Sequence, residues 1–229
     1  MSDNNKLFFF FFISLISMGI FNLSITPIFE GFDENAHYSS IRQIAYTGEV
    51  PFHGKSYLDD TVVNYQGPRA YSSGEPPYSA YSGDISYSNF FLNKSMTDNY
   101  KLKYRNQIVP TEFNPGSVLN WESQHPPLYY IIMTPILNIV SFQSMVMQVF
   151  FLRLASYALA ITGIFFAILG AIKMQEKLPF NESKINFTLL GFYIYPIMLP
   201  MFYPEFARIG NDSLCILIAG LLFYFLAKV

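Results

Sequence analysis

The chain has few cysteines and few charged residues. The scarcity of charge limits the class of protein to which the chain can belong. Its single cysteine, Cys215, has no partner for an internal disulfide, so cysteine usage does not reveal the redox compartment. Only 13% of the 229 residues are charged, and the formal net charge is -2. The basic residues form no dense run, so nucleic acid is set aside as a partner. So little charge also argues against an ordinary soluble globular domain.

Long apolar runs take the place of charge, since 52% of the residues are hydrophobic and the mean hydropathy is +0.26. Four segments are predicted to cross a bilayer: residues 7–28, 150–172, 185–202 and 214–227. The first run exceeds a signal-peptide core of about 7–15 residues, so we expect it to stay as an anchor, with a cleaved signal as the alternative. A further segment, 131–142, contains Pro135 and is shorter than a span, which favours an interfacial or re-entrant position.

Lysines predict how these segments are oriented. Lys6, the three lysines of residues 173–184 and Lys228 flank alternate ends of the four spans, which places all of them in the cytoplasm. The sequence thus predicts an all-α, multi-pass protein of the plasma (inner) membrane with a cytoplasmic N-terminus. Residues 1–29 would form the tail and first span, 30–147 a long extracytoplasmic loop with interfacial helices, and 148–229 three further spans. We find no internal repeat, broken spans or mid-membrane acid, which argues against a transporter.

Carboxylates and an imidazole follow the first span directly, in the segment from Glu30 to His37. A group that acts on a lipid-carried substrate must lie at this depth, so the segment is the expected site. Apolar spacing predicts a helix over residues 34–47 that stops at Gly48. Asp33 would then be the N-cap and Glu34 a first-turn acid, which is a structural alternative to catalysis.

Residues 50–122 are rich in Tyr, Ser, Gly, Asn and Pro, and little regular structure is predicted there. Loops of this length are usually functional or disordered. Their tyrosines either stack on sugar rings or anchor the chain at the membrane interface. These are Tyr57, Tyr65, Tyr71, Tyr78, Tyr81, Tyr87, Tyr100 and Tyr104.

Three short segments carry a family resemblance. They are Phe32-Asp33-Glu34-Asn35-Ala36-His37-Tyr38 with Arg42 following, Gln124-His125-Pro126-Pro127-Leu128-Tyr129-Tyr130, and Arg208-Ile209-Gly210-Asn211-Asp212-Ser213-Leu214. In order and spacing they resemble the C-type membrane glycosyltransferases, which include aminoarabinose transferases and protein O-mannosyltransferases. The resemblance covers essentially the whole chain. Full members of that family have more spans, so we also expect that the chain is an N-terminal fragment of such a protein.

The resemblance implies transfer of a sugar from a polyprenyl-phosphate donor to an acceptor on the outer face. The acidic residue that acts near the acceptor or a metal would be Asp33, supported by Glu34. A carboxylate there is able to take the proton of the attacking hydroxyl, which is worth about 10²–10⁴ in rate. The departing phosphate needs positive charge or hydrogen-bond donors. The candidates for the substrate and phosphate site are Arg42, His125, Arg208 and Asp212.

A divalent metal ion is a further expectation, with Asp33 and His37 as ligands on one helix face. Each assignment has a structural alternative. His37 would be a hydrogen-bonded interfacial histidine, His125 a turn residue before proline, and Asn211 with Asp212 the cap of the last span. The alternative for the whole chain is a non-catalytic or truncated scaffold or subunit that keeps the fold. The sequence leaves the sugar, the acceptor and the oligomeric state open.

Overall fold

The computed structural model describes residues 3–68, 86–177 and 201–229, and these residues are mostly helical. The α-helices of this described part are α1 (Asp3–Ile25), α2 (Glu34–Thr47), α3 (Asp60–Val63), α4 (Tyr87–Leu92), α5 (Lys94–Tyr100), α6 (Leu128–Ile139), α7 (Met145–Lys177), α8 (Phe202–Phe206) and α9 (Asp212–Lys228). A π-helical segment, Lys101–Asn106, continues α5, and a 3-10 turn spans Trp121–Gln124. Strands β1 (Tyr57–Asp59) and β2 (Pro115–Leu119) form an antiparallel pair.

The chain divides into two compact units. The polar unit is Thr26–Leu152, and the helical unit combines Met1–Ile25 with Arg153–Val229. The names reflect composition, because the buried acids and histidines described below lie in the polar unit.

Two described helices are long and apolar enough to cross a membrane. They contain Phe8–Ile25 in α1 and Met145–Gln175 in α7. In the most apolar window of each helix, 22% and 33% of the residues, respectively, are buried within the described part of the chain. Two of the four predicted spans are therefore found as helices of sufficient length. The predicted span at 185–202 lies almost entirely outside the described residues, and α9, which covers the last one, has 17 residues.

Polar side chains on α7 bind the backbone of α1 within the helical unit. The Tyr157 hydroxyl donates to the carbonyl of Leu15 at 2.6 Å, and Nη1 of Arg153 donates to the carbonyl of Leu23 at 3.2 Å. Gly19 makes this approach possible, because an added Cβ would lie 1.9 Å from the Tyr157 ring. Such bonds suit an apolar environment, where an unpaired polar group is costly.

Helices α7 and α9 meet at glycines. A Cβ on Gly220 would lie 2.0 Å from the carbonyl oxygen of Gly163, so the two backbones touch directly. One heptad further along α7, Gly170 lies against Phe223 and Tyr224. Close approach through small residues is typical of helices that associate in lipid.

Helix α2 is the central element of the polar unit, and its predicted bounds are confirmed. It packs on α6 and on β1, and its apolar face, including Ala36 and Ile41, is fully buried. Gly48 ends the helix as predicted, because its positive φ of 74° lets its N–H reach the carbonyl of Ile44. The predicted non-spanning segment corresponds to α6, which has 12 residues with Pro135 inside.

The prediction of little regular structure between residues 50 and 122 is wrong for the described parts, 50–68 and 86–122. Packed aromatic rings hold this region together, and each ring centroid lies within 5.5 Å of the next in the order Phe29, Tyr65, Tyr104, Tyr100 and Phe90. These tyrosines therefore contact other rings within the unit. Residues Tyr71, Tyr78 and Tyr81 lie outside the described part.

Candidate functional site

The turn that precedes α2 holds two residues in the left-handed backbone region, Phe29 at φ 63° and Asp33 at φ 55°. Such a conformation is uncommon for residues other than glycine and is frequent at functional sites. The buried carboxylate of Glu34 stabilises the turn, since its Oε2 accepts the backbone N–H of Phe29 at 2.8 Å. Glu34 therefore supports the position of Asp33 through the backbone.

Asp33 occupies the N-cap position, but its side chain does not cap the helix. Its left-handed backbone differs from the extended conformation that a capping residue normally adopts. Instead, Oδ1 accepts a hydrogen bond from Nε1 of Trp121 at 2.7 Å. The other oxygen, Oδ2, accepts none within the described part of the chain, so capping does not explain this carboxylate.

Asn120 attaches the 3-10 turn Trp121–Gln124 to α2. Its side-chain Nδ2 donates to Oγ of Ser40 at 2.9 Å and to the carbonyl of Ala36 at 3.3 Å, while its Oδ1 accepts the N–H of Glu122 at 3.0 Å. One buried amide thus fixes the turn against the helix that follows Asp33.

Glu122 brings two of the resembling segments together. Its Oε2 lies 3.4 Å from Nε2 of His37 and 3.1 Å from Nε2 of His125. Glu122 is only 5% exposed and His37 only 2%, whereas the side chain of His125 is 36% exposed. A buried carboxylate therefore contacts one buried imidazole and one imidazole that reaches the surface.

Tyr130 completes this cluster. Its hydroxyl donates to the carbonyl of Glu122 at 3.1 Å and lies 3.0 Å from Nδ1 of His37. Burial, reinforced by the charge of Glu122, raises the pKa of this hydroxyl, so it keeps its proton at neutral pH. The direction of the hydrogen bond between Tyr130 and Nδ1 of His37 follows the tautomer of the ring.

Arg42 is fully buried and has partners within the polar unit. Its Nε donates to Oδ2 of Asp59 at 3.1 Å, and its Nη2 donates to the carbonyls of Pro110 and Glu112. The guanidinium thus joins α2 to β1 and to the segment before β2. These contacts give Arg42 a structural role, and its phosphate-binding role stays a prediction.

Arg208 and Asp212 lie in the helical unit. Nη2 of Arg208 donates to Oε1 of Glu205 at 2.6 Å and to Oδ2 of Asp212 at 3.1 Å. Asn211 stands at the N-cap of α9 without a side-chain capping bond. Asp212 therefore pairs with an arginine, and the capping alternative is not observed at either residue.

The predicted metal ligands do not converge on one point. The Asp33 carboxylate faces Trp121, while both ring nitrogens of His37 face oxygens of Tyr130 and Glu122. Within the ranges the structure describes, no group of three or more His, Cys, Asp or Glu side chains is placed so that it could hold a metal ion. The Asp33 and His37 pair does not fit a metal ion in this geometry, so the divalent ion stays a prediction and no step below uses it.

Sequence reasoning missed the residues that assemble the site: Asn120, Trp121, Glu122 and Tyr130. The sequence does contain one indication that Glu122 belongs to the site. It is the only acidic residue between Glu112 and Glu176, and it lies three residues before His125. The extended backbone of His125, at φ -78° and ψ 150°, agrees with its place before Pro126.

The two segments that contact Glu122 are two of the three that carry the family resemblance. The contact between them is seen only in the structure and does not follow from the resemblance. Comparison of the chain with protein-family models, curated proteins and solved structures finds no match.

Proposed function

We propose that the chain is an integral membrane glycosyltransferase of the C-type kind, or a part of one. It would transfer a hexose or pentose from a polyprenyl-phosphate donor to an acceptor on the extracytoplasmic face. One observation carries the proposal: the Trp121–Gln124 turn contacts Asp33 through Trp121 and both histidines through Glu122. Residues far apart in sequence thereby form one polar centre. Within the described residues, Oδ2 of Asp33 has no hydrogen-bond partner in this centre, and the imidazole of His125 reaches the surface.

The membrane topology is part of this proposal. Four spans, with Lys6, the lysines of residues 173–184 and Lys228 on the cytoplasmic side, would place the polar unit outside the plasma membrane. Support comes from the two helices of spanning length and from the glycine contact between α7 and α9. A reaction on a lipid-linked sugar requires such a location, since the lipid tail stays in hydrocarbon while the sugar phosphate reaches the interface.

Asp33 has the chemistry required at the acceptor. Its Oδ1 is oriented by Trp121, which leaves Oδ2 to accept the hydrogen bond of an acceptor hydroxyl and to aim that oxygen at the anomeric carbon. The departing phosphate would be met by hydrogen-bond donors of the polar unit. Arg208 is 5% exposed and pairs with two carboxylates of the helical unit, and its phosphate-binding role stays a prediction.

A scaffold is the rival function, and one observation favours it. The polar groups of Arg42, His37 and Glu122 bind elements of their own unit, as expected of a network that only stabilises a fold. A scaffold does not require the free oxygen of Asp33 or its left-handed backbone.

An Asp33→Asn variant separates the two functions. Asparagine tolerates the left-handed backbone and keeps an oxygen for Trp121, so the fold should persist while the charge is lost. Radiolabelled polyprenyl-phosphate hexose and polyprenyl-phosphate pentose would be supplied separately to membrane vesicles that contain the full chain. We expect transfer by the wild type and a loss of about 10²-fold in the variant.

The matched control is Asp98→Asn, which removes an exposed carboxylate of the same unit. Its transfer rate should equal that of the wild type. Equal rates for Asp33→Asn and the wild type would refute the role of Asp33, and a wild type without transfer from either donor would favour the scaffold.

A further inference from the structure

The surface imidazole of the cluster, His125, has one engaged nitrogen and one open nitrogen. Its Nε2 lies 3.1 Å from the Glu122 carboxylate, a distance at which the ring N–H donates to the oxygen. A neutral imidazole that carries its proton on Nε2 has its lone pair on Nδ1. Nδ1 forms no hydrogen bond within the described residues, and 36% of the side chain is exposed. The lone pair is therefore accessible.

The position of Glu122 is fixed by two contacts to its backbone and one to its carboxylate. Asn120 accepts its backbone N–H, Tyr130 donates to its carbonyl, and His37 lies against its Oε2. Each of these residues is buried in the polar unit. The carboxylate thus holds the ring of His125 without having to move.

The backbone of His125 is equally constrained. Its N–H donates to the carbonyl of Glu122 at 3.1 Å, and two prolines, Pro126 and Pro127, follow directly. Proline restricts both its own φ and the conformation of the residue before it. Backbone and side chain of His125 are therefore both set by Glu122 and its neighbours.

We propose that His125 is the base that receives the proton of the acceptor hydroxyl, and that Glu122 is the positioning residue that holds its ring for this step. This rests on the proposed function, and it assigns to His125 the proton transfer that sequence analysis gave to Asp33. In the step, the hydroxyl oxygen bonds to the anomeric carbon while the bond from that carbon to the phosphate oxygen breaks. The proton moves to Nδ1 of His125, and the electron pair of the broken bond stays on the polyprenyl phosphate.

Glu122 contributes to this step in two ways. It fixes the tautomer that leaves Nδ1 free, and its negative charge stabilises the imidazolium that forms when the proton arrives. Asp33 then serves to orient the hydroxyl through Oδ2. His37 is unsuited to the same task, because it is 2% exposed and oxygens face both of its ring nitrogens.

The tautomer is tested first, and this test does not depend on activity. The chain has only three histidines, so ring nitrogen spectra of the full chain, labelled with ¹⁵N-histidine and placed in lipid nanodiscs, are readily assigned by substitution. We expect His125 to carry its proton on Nε2 in the wild type, and Glu122→Gln to reduce that preference. A wild-type ring protonated on Nδ1 would overturn the assignment.

Transfer is measured next on vesicles with the two polyprenyl-phosphate sugars described above. His125→Ala should lower kcat about 10²–10⁴-fold, the usual contribution of a general base, and added imidazole should restore part of the rate. His53→Ala is the matched control, since His53 is an exposed histidine of the same unit, and its rate should not change. His125→Asn, with an amide that cannot act as a base, should lose the rate while keeping a polar group at this position.

The outcomes separate the two proposals. A wild type that transfers sugar while His125→Ala keeps its rate refutes the base assignment alone. Loss without imidazole rescue in a folded variant also counts against it, since a purely structural role gives that result. A wild type without transfer refutes the proposed function and the proton step with it, whereas the tautomer measurement still decides whether Glu122 holds the ring.

Discussion

The polar unit and the helical unit bury polar side chains in different ways. In the polar unit, buried carboxylates face basic side chains, as Asp59 faces Arg42 and as Glu122 faces two histidines. In the helical unit, Tyr157 and Arg153 instead donate to carbonyl oxygens of a neighbouring helix, and the two carboxylates that pair with Arg208 are 36% and 48% exposed. Backbone carbonyls are acceptors that every helix already has, so this second mode needs no buried acid.

This difference indicates which of the two units is expected to carry the proposed reaction. Paired charges are costly to bury, and they are retained where their arrangement serves specificity or function. Helices held by glycine contacts and carbonyl bonds are suited to an apolar medium. We therefore expect the proposed reaction in the polar unit and membrane anchoring by the helical unit, and we expect a substitution in one unit to change the stability of that unit.

The largest effect is expected from Asp59→Asn in the polar unit. The substitution leaves the buried Arg42 charge without its counter-ion and replaces one of the two oxygens that accept from Arg42 and Thr61 with an amide N–H. Breaking a buried pair in this way costs about 3–5 kcal/mol. Hydrogen exchange of α2 and β1 in nanodiscs measures the loss. Asp60→Asn, at an exposed carboxylate of the next residue, is the control. Unchanged protection of α2 in Asp59→Asn would show that the pair does not hold the unit together.

A smaller effect is expected from Gly220→Leu in the helical unit. The side chain would enter the space where α9 touches the backbone at Gly163, and overpacking of this kind costs typically about 1–3 kcal/mol. The temperature at which the detergent-solubilised chain loses its monodisperse elution profile should fall. Ile218→Leu, at a half-exposed position on the same helix, should leave it unchanged. Equal stability of both variants would argue against the close contact.

The smallest effect is expected from Tyr157→Phe. Only the hydroxyl that donates to the Leu15 carbonyl is removed, and one hydrogen bond contributes about 1 kcal/mol. The same elution assay applies, with Tyr224→Phe on α9 as the comparison. A loss as large as that of Gly220→Leu would mean that the bond between α1 and α7 matters more than the glycine contact does.

Local signals predicted local structure well. The bounds of α2 follow from its apolar spacing and from Gly48, and the extended backbone of His125 follows from the proline after it. The long apolar runs likewise predicted α1 and α7. In each of these cases the determining residues are close together in the sequence.

Contacts between distant residues could not be predicted in the same way. The rings of Phe29, Tyr65 and Tyr104 come from separate segments, and their packing organises a region whose composition indicated a loop. The capping interpretation of Asp33 failed because its backbone is left-handed and Trp121, 88 residues away, takes its carboxylate. Glu122 was missed because no local pattern shows that its partner would be His37 on α2.

The most direct test of the proposed centre asks whether His37 and His125 both contact the carboxylate of Glu122. Magnetic-resonance distances would be measured between ring nitrogens of ¹⁵N-histidine and the side-chain carboxyl carbon of ¹³C-glutamate in the full chain, with Glu122→Gln to assign the signal. We expect short contacts from His37 and from His125 to the same carboxyl group, and none from His53. If that signal reports a short distance to only one of the two histidines, or to neither, the two segments do not meet at Glu122 and the proposed centre does not exist.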